Sequence, residues 1–335
     1  MGIYAYIRIA TLLSIAAGLF AQPAPETAKP EPAIGAILKL FDSYRIVMVG
    51  EVHLCIEQHN LFKTLVESPD FAGRVNDVVI ESANSLYQPT LDRYIAGESV
   101  APRDLEKVWQ NFLGAPGGTP VAPYHGLLAA IRARNQPLPL EKRIRVLAGD
   151  PPIDWDRVQT RDDIAPFLGF RDEHFAAVVR YEVLAKRRKA LLIIGAGHIE
   201  RHAGKPGLIE QQLLTAFVKS YVITPGMNLF LDQPLDARFG TWPAPSLLEM
   251  KGTWVGELPS LNLRTHASEG TWSQTADAYL YLGPRETLTQ GGEAFDLEGT
   301  PYGTELRRRW KILLDKPPAE LPKSDAKVRP LFPPH

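Results

Sequence analysis

The stretch Arg45-Ile46-Val47-Met48-Val49-Gly50-Glu51-Val52-His53 decides how the rest of the chain is read. Ile46 to Val49 is apolar without a break, the pattern of a strand covered on both faces in a parallel sheet. Gly50 permits a tight exit from that strand. If the backbone stays extended beyond it, Glu51 and His53 project to one side and Val52 to the other. A helix is expected to begin near Cys55, with Phe62, Leu65 and Val66 on its apolar face. Strand, polar residues, then helix is the arrangement that places chemistry at the carboxyl end of an α/β sheet.

Five further segments read as core strands. Asp77 to Glu81 ends in a carboxylate, Ile144 to Ala148 leads into Gly149-Asp150, and Ala190 to Ile194 leads into Gly195-Ala196-Gly197-His198. Tyr221 to Ile223 and Ala278 to Leu282 complete the set. Helical stretches lie between them at Leu86 to Ala96, Pro102 to Phe112, Tyr124 to Arg134, Arg171 to Arg188 and Gly207 to Val218. This alternation predicts an α/β fold: a mostly parallel sheet with helices on both faces. Residues 82 to 143 exceed what a plain crossover needs, so they form a helical insertion after the second strand, broken by Gly114 to Pro123. Leaving the carboxyl end of a strand, such an insertion is placed to cover the site as a lid. Residues 226 to 275 are irregular in pattern, with Trp242, Trp254 and Trp272 among many Gly and Pro.

The 335 residues carry a net charge of -1, which removes the electrostatic basis for nucleic-acid binding. The runs Lys186 to Lys189 and Arg307 to Arg309 read as solvated helix ends. Residues 1–21 have the features of a secretory signal: Arg8, an apolar core from Ile9 to Phe20, then the small Ala21. The apolar core is short of the roughly 20 residues a membrane span needs, and no Cys follows it to carry a lipid. The expectation is therefore an exported protein, periplasmic or secreted, with no stable membrane anchor. Residues 22–33, rich in Pro and Ala, read as a disordered leader, and 316–335 as a disordered tail. Cys55 is the only cysteine, so no intramolecular disulfide forms. Beside His53 and His59 it has a reading as a reactive thiol; the simpler reading is a small buried residue opening a helix.

Four of the predicted strands end in polar residues: Glu51 with His53, Glu81, Asp150 and His198. Neighbouring strand ends of such a sheet converge on one crevice. Acids and imidazoles buried there need partners, which are each other, a metal ion or a reacting substrate. A divalent metal (Zn, Fe or Mn) suits Glu51, His53, Glu81 and His198 as ligands. The same set works without metal, one group taking a proton from water and another protonating the leaving group. Gly195-Ala196-Gly197 is also able to aim backbone N–H groups at an anion. His198 and His202 stand four apart, but the Glu between them is misplaced for a zinc-helix motif, and Gly197 and Gly204 favour a loop. Arg171 and His174, in a charged first helical turn, are candidates for the pocket rim, and Asp150 joins them as a substrate contact. Tyr87, Tyr124 and His125 on the insertion are possible lid contacts, against the plainer reading that they pack.

Gly50-Glu51-Val52-His53 after a buried strand, then Ile80-Glu81-Ser82, then Gly195-Ala196-Gly197-His198, resembles the superfamily that joins ChaN-like haem-binding proteins, TIKI/TraB proteins and erythromycin esterases. Tyr87-Gln88-Pro89, Leu91 to Gly97, Tyr124 to Arg134 and Arg171 to Ala176 are most similar to the ChaN-like branch. The resemblance spans roughly residues 35 to 225, within one domain over 34–315. It implies haem or metal binding at the cell envelope, or, from the other branches, hydrolysis of a peptide or ester using Glu and His. The ligand is then a small molecule or a peptide. Glu51, His53, Glu81 and His198 match the superfamily's polar site. Two departures stand: no lipid-anchor Cys, and no His or Tyr that marks a haem axial ligand.

Overall fold

A computed structural model describes residues 28–114, 124–225, 238–261, 268–291, 297–316, 320–321 and 329–331. The first elements are β1 (Glu31–Pro32), α1 (Ala33–Leu40), β2 (Ile46–Glu51), α2 (Ile56–Glu67), α3 (Phe71–Arg74) and β3 (Asp77–Asn84). The insertion contributes α4 (Gln88–Ala96), α5 (Pro102–Gln110) and α6 (His125–Asn135) before β4 (Arg145–Asp150). Next come α7 (Arg161–Gly169), α8 (Arg171–Val178), β5 (Ala190–Gly195), α9 (Ala196–Ile199), α10 (Leu208–Thr215) and β6 (Ser220–Thr224). The remaining strands are β7 (Ser246–Glu249), β8 (Pro259–Leu261), β9 (Ser268–Thr271), β10 (Ala278–Tyr281), β11 (Thr289–Gln290) and β12 (Arg329–Pro330), with a helix Pro301–Leu313 before the last.

Eight strands form one sheet in the order β1-β7-β10-β6-β2-β5-β3-β4. The pairings from β10 across to β4 are all parallel, and β7 pairs antiparallel with both β10 and β1. The expected α/β architecture is therefore present, with an antiparallel edge that the sequence did not announce. The pleat sorts each strand between two cores. Val47 and Val49 of β2, Val78 and Ile80 of β3, and Leu191 and Ile193 of β5 pack with α1, α2 and the insertion. Ile46, Met48, Val79, Leu192 and Ile194 face the other way, with Phe175, Val179 and Leu213 from the α8 to α10 side. Both faces being buried is why these strands read as unbroken apolar runs.

Several expectations are corrected. Gly50 does not end a strand, since β2 runs through Glu51. Its lack of a side chain serves close approach: a Cβ there would lie 3.0 Å from the Ala196 Cβ. The ends are not wholly outside the fold. Glu31 and Pro32 pair with Leu247 and Ser246, and Arg329–Pro330 pairs with β11. Arg309 is not a solvated cation but 3% exposed, donating to the Gln110 carbonyl at 2.7 Å beside the ring of Trp155. The predicted helix over 171–188 loosens into π-helical turns at Val179–Leu184. The secretory signal, half of the leader, and most of the tail and of the Gly114–Pro123 break lie outside the described residues. Among the described residues no helix is long and apolar enough to cross a membrane.

Candidate functional site at the carboxyl edge of the sheet

Glu51 ends β2 and Glu81 lies in β3, with β5 between them. Alternation turns Glu51 toward the α2 side and Glu81 toward the α8 side, so the two carboxylates leave opposite faces of the sheet. They meet again over the end of β5 because that strand finishes in Gly195. A Cβ at Gly195 would stand 2.9 Å from Glu81 Oε2 and 3.0 Å from His53 Nε2. The missing side chain leaves a slot, and the two halves of the site close across it.

On the α2 side, Glu51 is 3% exposed and densely partnered. His59 Nε2, one turn into α2, lies 3.0 Å from its Oε1. Tyr124, at the start of α6, donates its hydroxyl to Oε2. His53 Nδ1 stands 3.6 Å from the same Oε2, and the His53 side chain is 58% exposed. Burial works to raise the Glu51 pKa, yet the hydrogen bonds and charges of His53 and His59 prevail and bring it down to about 2. The hydrogen bond to Glu51, working against burial, lifts His53 to about 9. At neutral pH this pair is a carboxylate and an imidazolium. Burial and the Glu51 charge push the Tyr124 phenol well above its usual range, so it stays a donor.

On the α8 side, Arg171 spreads its guanidinium among three groups. Nε donates to Asp150 Oδ1 at 2.6 Å, Nη2 donates to Glu81 Oε1 at 2.9 Å, and Nη1 faces His198 Nε2 at 3.5 Å. Glu81 Oε2 accepts the Gly195 N–H at 2.5 Å. His198, on α9, sets Nδ1 2.7 Å from Asp172 Oδ1 and Nε2 3.6 Å from Glu81 Oε1. Asp172 and the Arg171 guanidinium thus face the two ring nitrogens of His198. Phe175 carries this corner, its ring 6.0 Å from that of His198 and 5.6 Å from the Arg171 guanidinium carbon.

Four of the sequence candidates thus meet: Glu51, His53, Glu81 and His198. Arg171 joins them, as a partner of Glu81 and His198 rather than as a rim residue. Asp150 is placed differently from the expected substrate contact. It is fully buried, with one oxygen on Arg171 and the other accepting the Leu113 N–H. Burial raises its pKa to about 6 against the pull of Arg171 and Leu113. His174 is bound into the wall instead, its Nδ1 2.9 Å from the Gly149 carbonyl, and burial lowers its pKa. His202 pairs with Lys205 in a bridge beyond α9. Cys55 is the buried N-cap of α2, its thiol pushed up to about 12 by burial, which leaves it inert. The expected N–H anion cradle is used internally, the Gly195 N–H serving Glu81. Sequence reasoning missed His59 and Asp172 as site members. His59 follows Cys55 by one helical turn and Asp172 sits beside Arg171, spacings that had no meaning without the helix directions.

Glu51, His53 and Glu81 each offer one ligand atom, all within 4.8 Å of one another, so a single ion is able to reach the three. His198 is outside that group, its Nδ1 turned to Asp172. The donor types suit zinc, iron or manganese. Each of the four carboxylate oxygens also faces a hydrogen-bond donor, and the Arg171 cation stands 2.9 Å from Glu81. A carboxylate oxygen keeps a second lone pair, so the Glu51, His53 and Glu81 group could hold a metal ion or serve proton transfer without one.

No family model and no curated protein matches the chain. Solved structures do. A Bacillus cereus protein aligns with TM-score 0.48 and 12% identity over 77% of this chain and 95% of its own. A mutant of the erythromycin esterase EreC, in its open conformation, gives 0.48 and 13% over 74% and 92%. ChaN of Campylobacter jejuni, with cofacially bound haem, gives 0.39 and 12% over 74% and 90%. At such identities the likeness concerns the fold alone.

Proposed function

We propose that this protein is a Glu/His-dependent hydrolase of esters or amides, with a small-molecule or peptide substrate, acting in the periplasm or outside the cell. One observation carries the reading: two imidazoles flank Glu81 from opposite sides, His198 with Nδ1 2.7 Å from Asp172 and His53 with Nδ1 facing Glu51 at 3.6 Å. Their surroundings differ, His53 standing beside Glu51 and His198 between Asp172 and Arg171. His198 Nε2 accepts a proton from water as the water oxygen attacks the carbonyl carbon, and Glu81 Oε1, 3.6 Å away, stabilises the imidazolium that forms. His53, already an imidazolium and open to solvent, donates its proton to the departing oxygen or nitrogen as that bond breaks. The products are a carboxylic acid and an alcohol or amine, and His53 regains a proton as His198 releases one.

The test is turnover of 4-nitrophenyl butyrate, a panel of lactones and an amide analogue. His53→Ala and His198→Ala are expected to lower kcat by about 10²–10⁴-fold with circular dichroism unchanged. Dialysis against EDTA is expected to leave turnover intact. Wild-type rates in both His variants would remove the proposal. The resemblance also implies haem binding, and a stoichiometric Soret shift on haem titration, abolished by His53→Ala, would replace hydrolysis with haem handling. Metal found at one equivalent, with activity lost to EDTA, would restore the metal-assisted form.

A further inference from the structure

We propose that Asp150 is a positioning residue for the acid–base pair, acting through Arg171 and touching no ligand. This rests on the hydrolase reading for its kinetic arm and on the hydrogen-bond geometry for its spectroscopic arm. Asp150 has no open surface, and both of its oxygens are committed. A substrate has no access to it. What it does hold is the one nitrogen of Arg171 that Glu81 and His198 do not use. A guanidinium is planar, so fixing Nε fixes the plane in which Nη1 and Nη2 lie. In this structure that plane puts Nη2 on Glu81 Oε1 and Nη1 opposite His198 Nε2. With Arg171 so held, Glu81 Oε1 and the His198 ring keep fixed places beside one another.

The charged groups around Asp150 are consistent with this role. Arg171 is its cation, the Leu113 N–H its second donor, and Glu81 a neighbouring anion. Leu113 lies just beyond α5, so the same carboxylate ties the insertion to the site. The group that sets the Arg171 plane thereby also fixes where the insertion meets the sheet. Outer partners of this kind typically contribute about 10–100-fold in activity.

The test uses the full chain. Asp150→Asn keeps the shape but presents Arg171 Nε with an amide. The expected result is a kcat lowered about 10–100-fold on 4-nitrophenyl butyrate, KM within about twofold, and an altered pH profile. Arg171→Gly should regain activity when guanidinium is added with Asp150 present, and should not in the Asp150→Asn background. A kcat within twofold of wild type in Asp150→Asn, or equal guanidinium rescue in both backgrounds, would overturn the proposal. Should Asp150→Asn fail to fold, wild-type protein still decides. Its Arg171 Nε–H resonance is expected downfield and slow to exchange with solvent, and a rapidly exchanging signal refutes the assignment. That spectroscopic arm stands whether or not the protein hydrolyses an ester.

Discussion

The balance at Glu51 and His53 gives the molecule its first measurable signature. His53 is raised to about 9 chiefly by its hydrogen bond to Glu51. If its proton is the one delivered to the leaving group, turnover falls as pH climbs through about 9. Glu51→Gln removes the principal cause, and the basic limb is expected to move down toward the ordinary imidazole value of 6.5. A pH–rate profile reads this directly; an unmoved limb would assign the acid elsewhere. The sign for stability runs both ways. His53, with a raised folded pKa, adds stability below 6.5 that is lost as pH rises through about 9, an effect kept small by its exposure. Glu51, depressed to about 2, adds stability above 4.5 that is lost as pH falls toward 2. That Glu51, Glu81 and His198 would gather at one edge was legible in sequence because each closely follows an apolar run. Which group would partner which was not. Asp172 on His198, and His59 and Tyr124 on Glu51, depend on helix directions that no local pattern encodes.

At the scale of elements, β5 is the spacer of the site. It lies between β2 and β3, and its terminal glycine is the space through which Glu81 and His53 approach. Gly195→Ala places a methyl 2.9 Å from Glu81 Oε2 and 3.0 Å from His53 Nε2, so that both side chains must give way. The expected outcome is at least about tenfold loss of kcat, the equivalent of about 1.4 kcal/mol, with a melting temperature shifted by only a few degrees. Activity and thermal melts on the same preparation check it, and an alanine variant of wild-type activity would show that the slot is not used. The sequence displayed Gly195 in a pair that suggested an anion cradle. Only the strand order, which is non-local, shows that it spaces two side chains from other strands. The parallel strands were recognisable because each is buried on both faces. The antiparallel β7 and two-residue β1 were not, being short and set in irregular stretches.

For the molecule as a whole, the helix Pro301–Leu313 braces the insertion from outside the sheet. Arg309 reaches the Gln110 carbonyl at 2.7 Å, Asn111 Oδ1 at 2.5 Å and Glu305 at 2.8 Å, with its guanidinium 4.5 Å from the Trp155 ring centre. The Asn111 carbonyl in turn accepts from Asn84 and from Trp155. Arg309→Ala strips a buried cation from several acceptors at once and is expected to cost about 3–5 kcal/mol. A melting temperature lowered by several degrees, with increased proteolysis near residue 112, is the expected readout, whereas an unchanged melt would make the brace ornamental. The sequence reading took Arg307 to Arg309 as solvated, since a basic run carries no mark of which member turns inward.

The order in which strands are laid down has a bearing on synthesis. Residues 46–51 and 77–84 leave the ribosome more than a hundred residues before the strand that must slide between them, Ala190–Gly195. Until that strand arrives, the two acids have no shared frame. The topology thereby acts as a timer, bringing the two carboxylates together only when most of the polypeptide exists.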